Sequence, residues 1–139
     1  MTRASMSASY DFSKIDASLD KITQAAEEAT RPAAQEGIQV FYDEVRARCP
    51  VSDRAHGHEP GNLQRSVYQA HADDESGPGR SVYRCSWNKA KAFYGTWVEN
   101  GNSKMAAQPF LRPAYDAART KAAQAARRRM LADVKKVLR

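Results

Sequence analysis

The sequence has few cysteines, no long apolar run and no apolar leader segment. Only two of its 139 residues are cysteine, Cys49 and Cys85, and two thiols so far apart do not make a disulfide framework. We expect both to be free thiols in a reducing compartment. No stretch approaches the ~18 apolar residues that a membrane span needs, so we expect no membrane partner. The Ser-rich start lacks the apolar segment of a secretory signal.

Catalytic patterns are also scarce. No glycine-rich phosphate-binding loop is present, and Asp73, Asp74 and Glu75 share one loop that favours solvated charges over a catalytic pair. His56, His58 and Glu59 could contribute to a zinc site, with Cys49 and Asp53 nearby, but their spacing matches no closed zinc pattern. We therefore predict no enzyme activity and no cofactor. A metal-dependent hydrolase built on His56 and His58 is the weakest alternative.

The net charge of +6 is concentrated at the end of the chain. Residues 1–48 carry a charge of −2, residues 49–111 carry +1 and residues 112–139 carry +7. The basic positions include Arg127, Arg128, Arg129, Lys135 and Lys136. A sequence-reading DNA binder needs base-reading or stacking groups near its cations, and this segment offers few. A phosphate-facing surface and a surface for an acidic protein both remain open.

Apolar periodicity predicts a long helix at each end of the chain. Steps of three and four run from Phe12 to Ala33 and resume from Ile38 to Val45. Pro32 should kink or interrupt this first helix, which then ends before Cys49-Pro50. The last helix is Ala-rich, and Pro113 fits its first position.

Between the helices, two β-favouring triplets at 66–68 and 81–83 predict antiparallel strands around a Gly/Pro loop. The following "KAKAFYGTWVENG" suggests a short helix ended by Gly101, although its β-rich content also permits a strand. We predict an α+β fold with a long bent N-terminal helix, a small antiparallel sheet, a short helix and a basic C-terminal helix. Residues 1–11 should be a flexible lead, and residues 12–139 a single domain.

The stretch "VENGNSKMAAQPFLRPAYDAA" could be an active-site loop or a docking loop. Glu99 has no base, metal or nucleophile to work with, so we expect it to bind backbone N–H groups or a neighbour's cation. The aromatic residues Phe93, Tyr94, Trp97 and Phe110 are more typical of a core, although Tyr and Trp also anchor interfaces. The predicted docking residues are Tyr94, Trp97, Glu99, Gly101, Pro109, Phe110, Leu111 and Pro113.

Three motifs in order resemble a known family. They are Gly-x-Leu-x-x-Ser at Gly61–Ser66, Tyr-x-x-x-Val-Glu-x-Gly at Tyr94–Gly101 and Pro-Phe-Leu-x-Pro-Ala at Pro109–Ala114. With the flanking helices, over residues 12–138, they resemble the tail-completion or head–tail joining proteins of long-tailed bacteriophages. Asn102 stands where a Thr is usual, and the loop at 50–60 is longer.

The resemblance implies a structural virion protein without catalytic residues. Such proteins form a ring, expected to be a hexamer, that joins the tail tube and its terminator to the connector and stopper proteins of the neck. Viral DNA passes through the lumen, and assembly takes place in the host cytoplasm. The alternative is a small basic nucleic-acid-binding protein, which rests on the charge of residues 112–139.

Overall fold

The computed structural model describes residues 7–52 and 57–139. Within these ranges the chain forms helix α1 (Ser13–Arg48), helix α2 (Asn62–Ser66), strand β1 (Val67–His71), strand β2 (Tyr83–Trp87), helix α3 (Gly95–Asn100) and helix α4 (Leu111–Val137). The two strands pair antiparallel. The predicted α+β fold, with its element order, is confirmed.

Helix α1 is one continuous helix of 36 residues, with Pro32 inside it. The alternative of two separate helices is therefore wrong. Proline costs the helix the single hydrogen bond that its N–H would have donated to the carbonyl of Glu28, and the turns on either side persist. As predicted, α1 ends at the Cys49-Pro50 step, where the N–H of Cys49 donates to the carbonyl of Val45 at 2.9 Å.

Helices α1 and α4 pack against each other in opposite directions. The ring of Phe41 lies 6.0 Å from that of Tyr115, and Gly37 lies next to Ala122 and Ala126 further along α4. A Cβ on Gly37 would approach both alanines to 3.4 Å, so this glycine permits the close approach. Small residues on both helices thus bring the two backbones together.

The apolar pattern of α1 is only partly buried. Ala25 is the first buried residue of α1, whereas Phe12, Ile15 and Leu19 are 58%, 55% and 56% exposed. Sequence periodicity identifies an apolar face but not where its partner helix ends. Tyr115 and Leu131 of α4, and Leu138 just after it, are exposed as well.

The β1–β2 pair aligns Val67 with Trp87 and His71 with Tyr83. Side chains alternate as predicted, with Val67 buried and Tyr68 exposed. The first strand begins one residue later than the triplet suggested. Ser66 instead closes the helical turn α2, because its hydroxyl donates to the carbonyl of Asn62 at 2.6 Å.

The main core lies where the end of α1, the sheet and the start of α4 meet. Phe110 is fully buried, with its ring 5.6 Å from that of Trp87. Gly95 lies directly on the indole, since a Cβ there would come within 2.4 Å of the Trp87 ring. The buried cluster consists of Val45, Cys49, Leu63, Val67, Trp87, Ala92, Phe110 and Ala114.

Candidate docking surface

Glu99 holds the beginning of α4 through its carboxylate. Oε2 accepts the backbone N–H groups of Phe110 at 2.7 Å and Leu111 at 3.1 Å, and Oε1 accepts that of Arg112 at 3.2 Å. The first N–H groups of a helix have no acceptor within the helix, and their partial positive charge favours a carboxylate. Of the two roles predicted for Glu99, the structure shows the first, in which its carboxylate binds backbone N–H groups.

This clamp explains why α4 starts earlier than predicted. The helix begins at Leu111, so Pro113 is its third residue rather than its first. A proline in the first turn costs no intrahelical hydrogen bond, because the N–H it lacks would have had no partner. Glu99 provides the acceptors for the preceding N–H groups, and the helix extends back to them.

The loop between α3 and α4 is held by its backbone. Gly101 ends α3 with φ of 75°, and its N–H donates to the carbonyl of Trp97 at 2.7 Å. A Cβ on Gly101 would lie 2.7 Å from the backbone nitrogen of Ala107. Gln108 then donates its N–H to the carbonyl of Val98 at 2.7 Å. The loop is therefore tied to α3 at both of its ends.

The Gly61–Ser66 motif, which lies near this loop, also has a structural role. Gly61 adopts φ of 80° at the start of α2, and Leu63 enters the core at 4% exposure. Asn62 donates through Nδ2 to the carbonyl of Lys91 at 2.8 Å and to the hydroxyl of Tyr94 at 3.1 Å. The two motifs are thereby joined into one unit.

Two surface grooves border this unit. The first, here called the Glu99 groove, has a volume of about 740 Å³ and is lined by Glu99, Pro109, Arg112, Pro113 and Asp116 among others. The second, the Trp97 groove, has a volume of about 540 Å³ and is lined by Val51, Phe93, Tyr94, Trp97 and Met105 among others. The Glu99 groove combines charged side chains with prolines and alanines, whereas the Trp97 groove is mainly apolar.

The aromatic cluster divides between the core and the surface. Phe110 is buried as predicted, but Phe93 and Trp97 are 55% and 48% exposed, so the core prediction is wrong for both. Their rings lie 5.7 Å apart in an edge-to-face arrangement. His58 stacks on Tyr94 with 4.5 Å between centroids and supports the same cluster. The exposed aromatic side chains belong to the Trp97 groove.

The structure brings most of the predicted docking residues to the edges of these grooves. Tyr94 and Trp97 line the Trp97 groove, whereas Glu99, Pro109 and Pro113 line the Glu99 groove. Phe110 is fully buried and holds the loop from below. Sequence reasoning did not assign Val51 or Met105 to this surface, since isolated apolar residues in loops carry no periodic signal.

The basic residues in the second half of α4 lie apart from the grooves. Arg127 is 16 residues beyond Leu111, which corresponds to about 24 Å along the helix. Arg129 is not a free cation, because it binds Glu36 of α1 at 2.8 Å and Asp133 at 2.9 Å. The hydrogen bonds that Asp133 accepts, from Arg129 first and then from Lys136, hold the pKa of Asp133 below its ordinary value.

Three exposed cations of α4 share one side of the helix. Lys121, Arg128 and Lys135 are seven residues apart, and each is exposed. Seven residues are almost two helical turns, so these side chains form a stripe that drifts by only about 20° per step. We call it the basic stripe. Lys136 is less available because it binds Asp133 at 3.2 Å.

Both cysteines are free thiols in the structure. Burial raises the pKa of Cys49 to about 11, and the nearby charge of Glu99 adds to that rise. Burial alone raises the pKa of Cys85 to about 11. A thiol must ionise to act as a nucleophile, so neither is activated at neutral pH.

A Ser–His–Asp cluster in the β1–β2 connection was not predicted. His71 contacts Asp73 through Nδ1 at 2.6 Å and the hydroxyls of Ser76 and Ser81 through Nε2 at 3.1 Å each. Ser76 also donates to the carbonyl of Ala72 at 2.7 Å and accepts the N–H of Val82 at 3.0 Å. Its hydroxyl is thus committed to the backbone, and Asp73 is 90% exposed. These hydrogen bonds stabilise the turn between β1 and β2.

Among residues 7–52 and 57–139, no group of three or more His, Cys, Asp or Glu side chains could hold a metal ion. His56 and Asp53, which entered the zinc alternative, lie outside the described residues. No helix in the described part of the chain is both long and apolar enough to cross a membrane.

A comparison with protein families places these motifs in context. Residues 13–101 match the family described as "Bacteriophage HK97-gp10, putative tail-component". The match includes α1, the Gly61–Ser66 motif and the Tyr94–Gly101 motif, and it ends before α4. No curated protein and no solved structure matches the chain. Because the match covers more than half of the sequence, the chain belongs to the HK97-gp10 tail-component family of bacteriophages.

Proposed function

We propose that this phage tail component is a tail-completion adaptor. In this proposal, copies of the chain form a ring, most simply a hexamer, that joins the tail tube and its terminator to the neck. Residues 12–139 act as its single domain, whereas residues 1–6 of the expected lead lie outside the described residues. The family match supports the general role, that of a structural component of a phage tail, on which this more specific proposal builds.

The observation that carries the proposal is the clamp of Glu99 on the backbone of Phe110, Leu111 and Arg112. The carboxylate joins α3, the loop and α4 into one preorganised unit with a groove on each side. A rigid loop loses little conformational entropy on docking, which favours binding to another protein. A preorganised unit of this kind is consistent with a protein that binds other virion proteins during assembly.

A closed ring requires two different, matching faces on each subunit. The chain has surfaces of distinct character, namely the Glu99 groove with its charged side chains, the apolar Trp97 groove and the basic stripe on α4. Different partners can thus be assigned to different faces: another copy, the tail tube, and the neck.

A phage that lacks the coding sequence tests this role. We expect filled heads and separate tails to accumulate, and wild-type protein supplied from a plasmid to restore joined particles. Complementation with Leu131→Asp, which changes an exposed residue outside both grooves, should restore them as well. Joined, infectious particles at wild-type yield without the protein would refute the adaptor role.

A second candidate, a nucleic-acid-binding protein, is favoured by the basic stripe alone. Lys121, Arg128 and Lys135 are exposed and aligned, and phosphates attract such a surface. Binding to free duplex DNA should then weaken steeply with added salt, and Arg128→Ala should reduce its slope. In the adaptor proposal the stripe faces the DNA lumen or an acidic protein, and affinity for free duplex is low.

A further inference from the structure

The first turns of α1 carry apolar side chains that no other helix or strand of the described chain covers. Phe12, Ile15 and Leu19 are each more than half exposed, and Tyr10 just before them is 79% exposed. Spacing of three and four residues places these three side chains on one face of the helix, with Phe12 at its start. We call Phe12, Ile15 and Leu19 the α1 stripe.

Helix α4 is too short to cover the α1 stripe. Glu36 lies beside Arg129, and the helices run in opposite directions. Since both rise about 1.5 Å per residue, the end of α4 at Val137 reaches only to about the level of residue 28 of α1. The first buried residue of α1 is Ala25, in agreement with this estimate. The α1 stripe therefore projects beyond the body of the protein.

The Trp97 groove is an exposed apolar surface at the other end of the molecule. Val51, Phe93, Trp97 and Met105 are 51%, 55%, 48% and 37% exposed. Exposed aromatic side chains in a groove are typical of a site that anchors a partner. An amphipathic helix that presents residues at i, i+3 and i+7 is a recurrent occupant of such a groove.

The stripe of one chain cannot reach its own groove. Ile15 and Arg48 are separated by 33 residues of the continuous helix α1, which is about 50 Å, and the groove begins just beyond it at Pro50. A second copy of the chain has no such restriction. Contact between opposite ends of two copies is heterologous, and it leaves one stripe and one groove free for further copies.

The charges around the two surfaces are complementary. On a helical wheel Asp16 lies beside the α1 stripe, whereas Lys14 and Lys21 lie on the far side of the helix. The one carboxylate among the described residues that line the groove, Glu59, is paired with Arg65 at 3.0 Å. The exposed Lys91 and Lys104 flank the groove residues Phe93 and Met105 in the chain. Opposite charges around an apolar contact favour one docking orientation.

We propose that the α1 stripe of one copy docks as a helix in the Trp97 groove of the next copy, and that this contact links subunits head to tail. The inference deepens the proposed function, because it assigns the two faces through which a ring would close. It explains the two apolar surfaces that intramolecular packing leaves uncovered. The occupant is a second copy of this chain, and the contact needs no other protein.

Directed cross-linking tests the contact with the full chain. Leu19→Cys and Met105→Cys variants are mixed and mildly oxidised, with wild-type protein as the control for the native cysteines. We expect a mixed Leu19–Met105 disulfide to form faster than either homodimer. No mixed disulfide at the highest soluble concentration, or a dominant Leu19–Leu19 dimer, would overturn the proposal.

Interface disruption provides an independent readout. Leu19→Asp and Trp97→Asp should each weaken self-association about tenfold or more, measured by sedimentation velocity. Because each variant retains the opposite face, an equimolar mixture should form a 1:1 dimer and no larger species. Leu131→Asp changes a similarly exposed residue of α4 and is the matched control. Unchanged association in both test variants would overturn the proposal.

The two proposals fail in different ways. If the mixed disulfide forms but the protein does not join tails, the subunit contact stands and the adaptor role is wrong. If Leu19→Asp forms normal rings that complete tails, the adaptor role stands and the assigned contact is wrong. Circular dichroism of each variant verifies the fold, and the chosen side chains are at least 37% exposed, so their replacement should preserve it.

Discussion

The Glu99 carboxylate accepts the backbone N–H of Phe110 at 2.7 Å, across eleven residues of chain. Phe110 itself is fully buried against Trp87. One side chain of α3 thus determines where α4 begins and where Phe110, the residue just before it, enters the core. The docking loop, its two grooves and the orientation of the basic helix all depend on this relationship.

Replacing Glu99 should destabilise the protein as well as impair assembly. Glu99→Ala leaves three N–H groups without their acceptor, and we expect a loss of about 2 kcal/mol in the free energy of unfolding. Glu99→Gln retains one oxygen acceptor and should cost less. Urea denaturation measures both. Asp116→Ala in the same groove is the control, and an equal loss in that variant would contradict the special role of Glu99.

Gly101 should tolerate no side chain. Gly101→Ala combines a positive φ with a Cβ only 2.7 Å from the nitrogen of Ala107, so we expect a loss of about 1–3 kcal/mol. Gly77→Ala is the matched control, because its Cβ would meet nothing within 4 Å and its φ is not positive. Thermal unfolding of both variants provides the comparison. Similar midpoints for the two would show that the turn is not constrained.

Truncation of Phe110 should be severe. Phe110→Ala removes a fully buried ring between the start of α4 and the sheet, with an expected loss of about 3–5 kcal/mol. Phe93→Ala removes a ring of the same size that is 55% exposed and should cost much less. The difference in denaturation midpoint between the two variants measures the division between core and surface within this aromatic cluster.

The thiols should be unreactive at neutral pH. With a pKa of about 11, Cys49 has a thiolate fraction roughly 100-fold below that of a thiol at the ordinary value. Alkylation of a Cys85→Ser variant by iodoacetamide should be slow at pH 7 and rise up to about pH 11. In Glu99→Gln the rise should begin at lower pH, because a neighbouring negative charge is lost. Rapid reaction at pH 7 would contradict the assignment.

The same pKa values imply a loss of stability at alkaline pH. The unfolded chain releases the thiol protons near pH 9, whereas the folded chain retains them to about pH 11. Between these values the folded state binds more protons, so the free energy of unfolding falls as pH rises. Replacing both cysteines with serine should reduce this component of the pH dependence.

The sequence predicted the secondary structure well because its signals are local. Periodicity identified α1 and α4, alternation identified the strands, and Gly101 marked the end of α3. The start of α4 was misplaced, since the carboxylate that caps it comes from Glu99, outside the local sequence. Capping from a distant residue leaves no pattern in the neighbouring residues.

The exposure of individual side chains was harder to predict than the secondary structure. The pattern that makes Ala25 buried also includes Ile15 and Leu19, and only the length of α4 decides where coverage stops. In the same way, Phe93 and Phe110 have identical side chains, and their separation into surface and core depends on tertiary packing. The uncovered apolar residues are the ones that the proposed subunit contact would bury.

Electron microscopy of the purified protein mixed with isolated tail tubes tests the central claim most directly. The adaptor proposal predicts rings, most simply hexamers, that cap one end of each tube, and Leu19→Asp should lack them whereas Leu131→Asp should not. A wild-type protein that remains monomeric with tubes present and leaves both tube ends bare would contradict the claim.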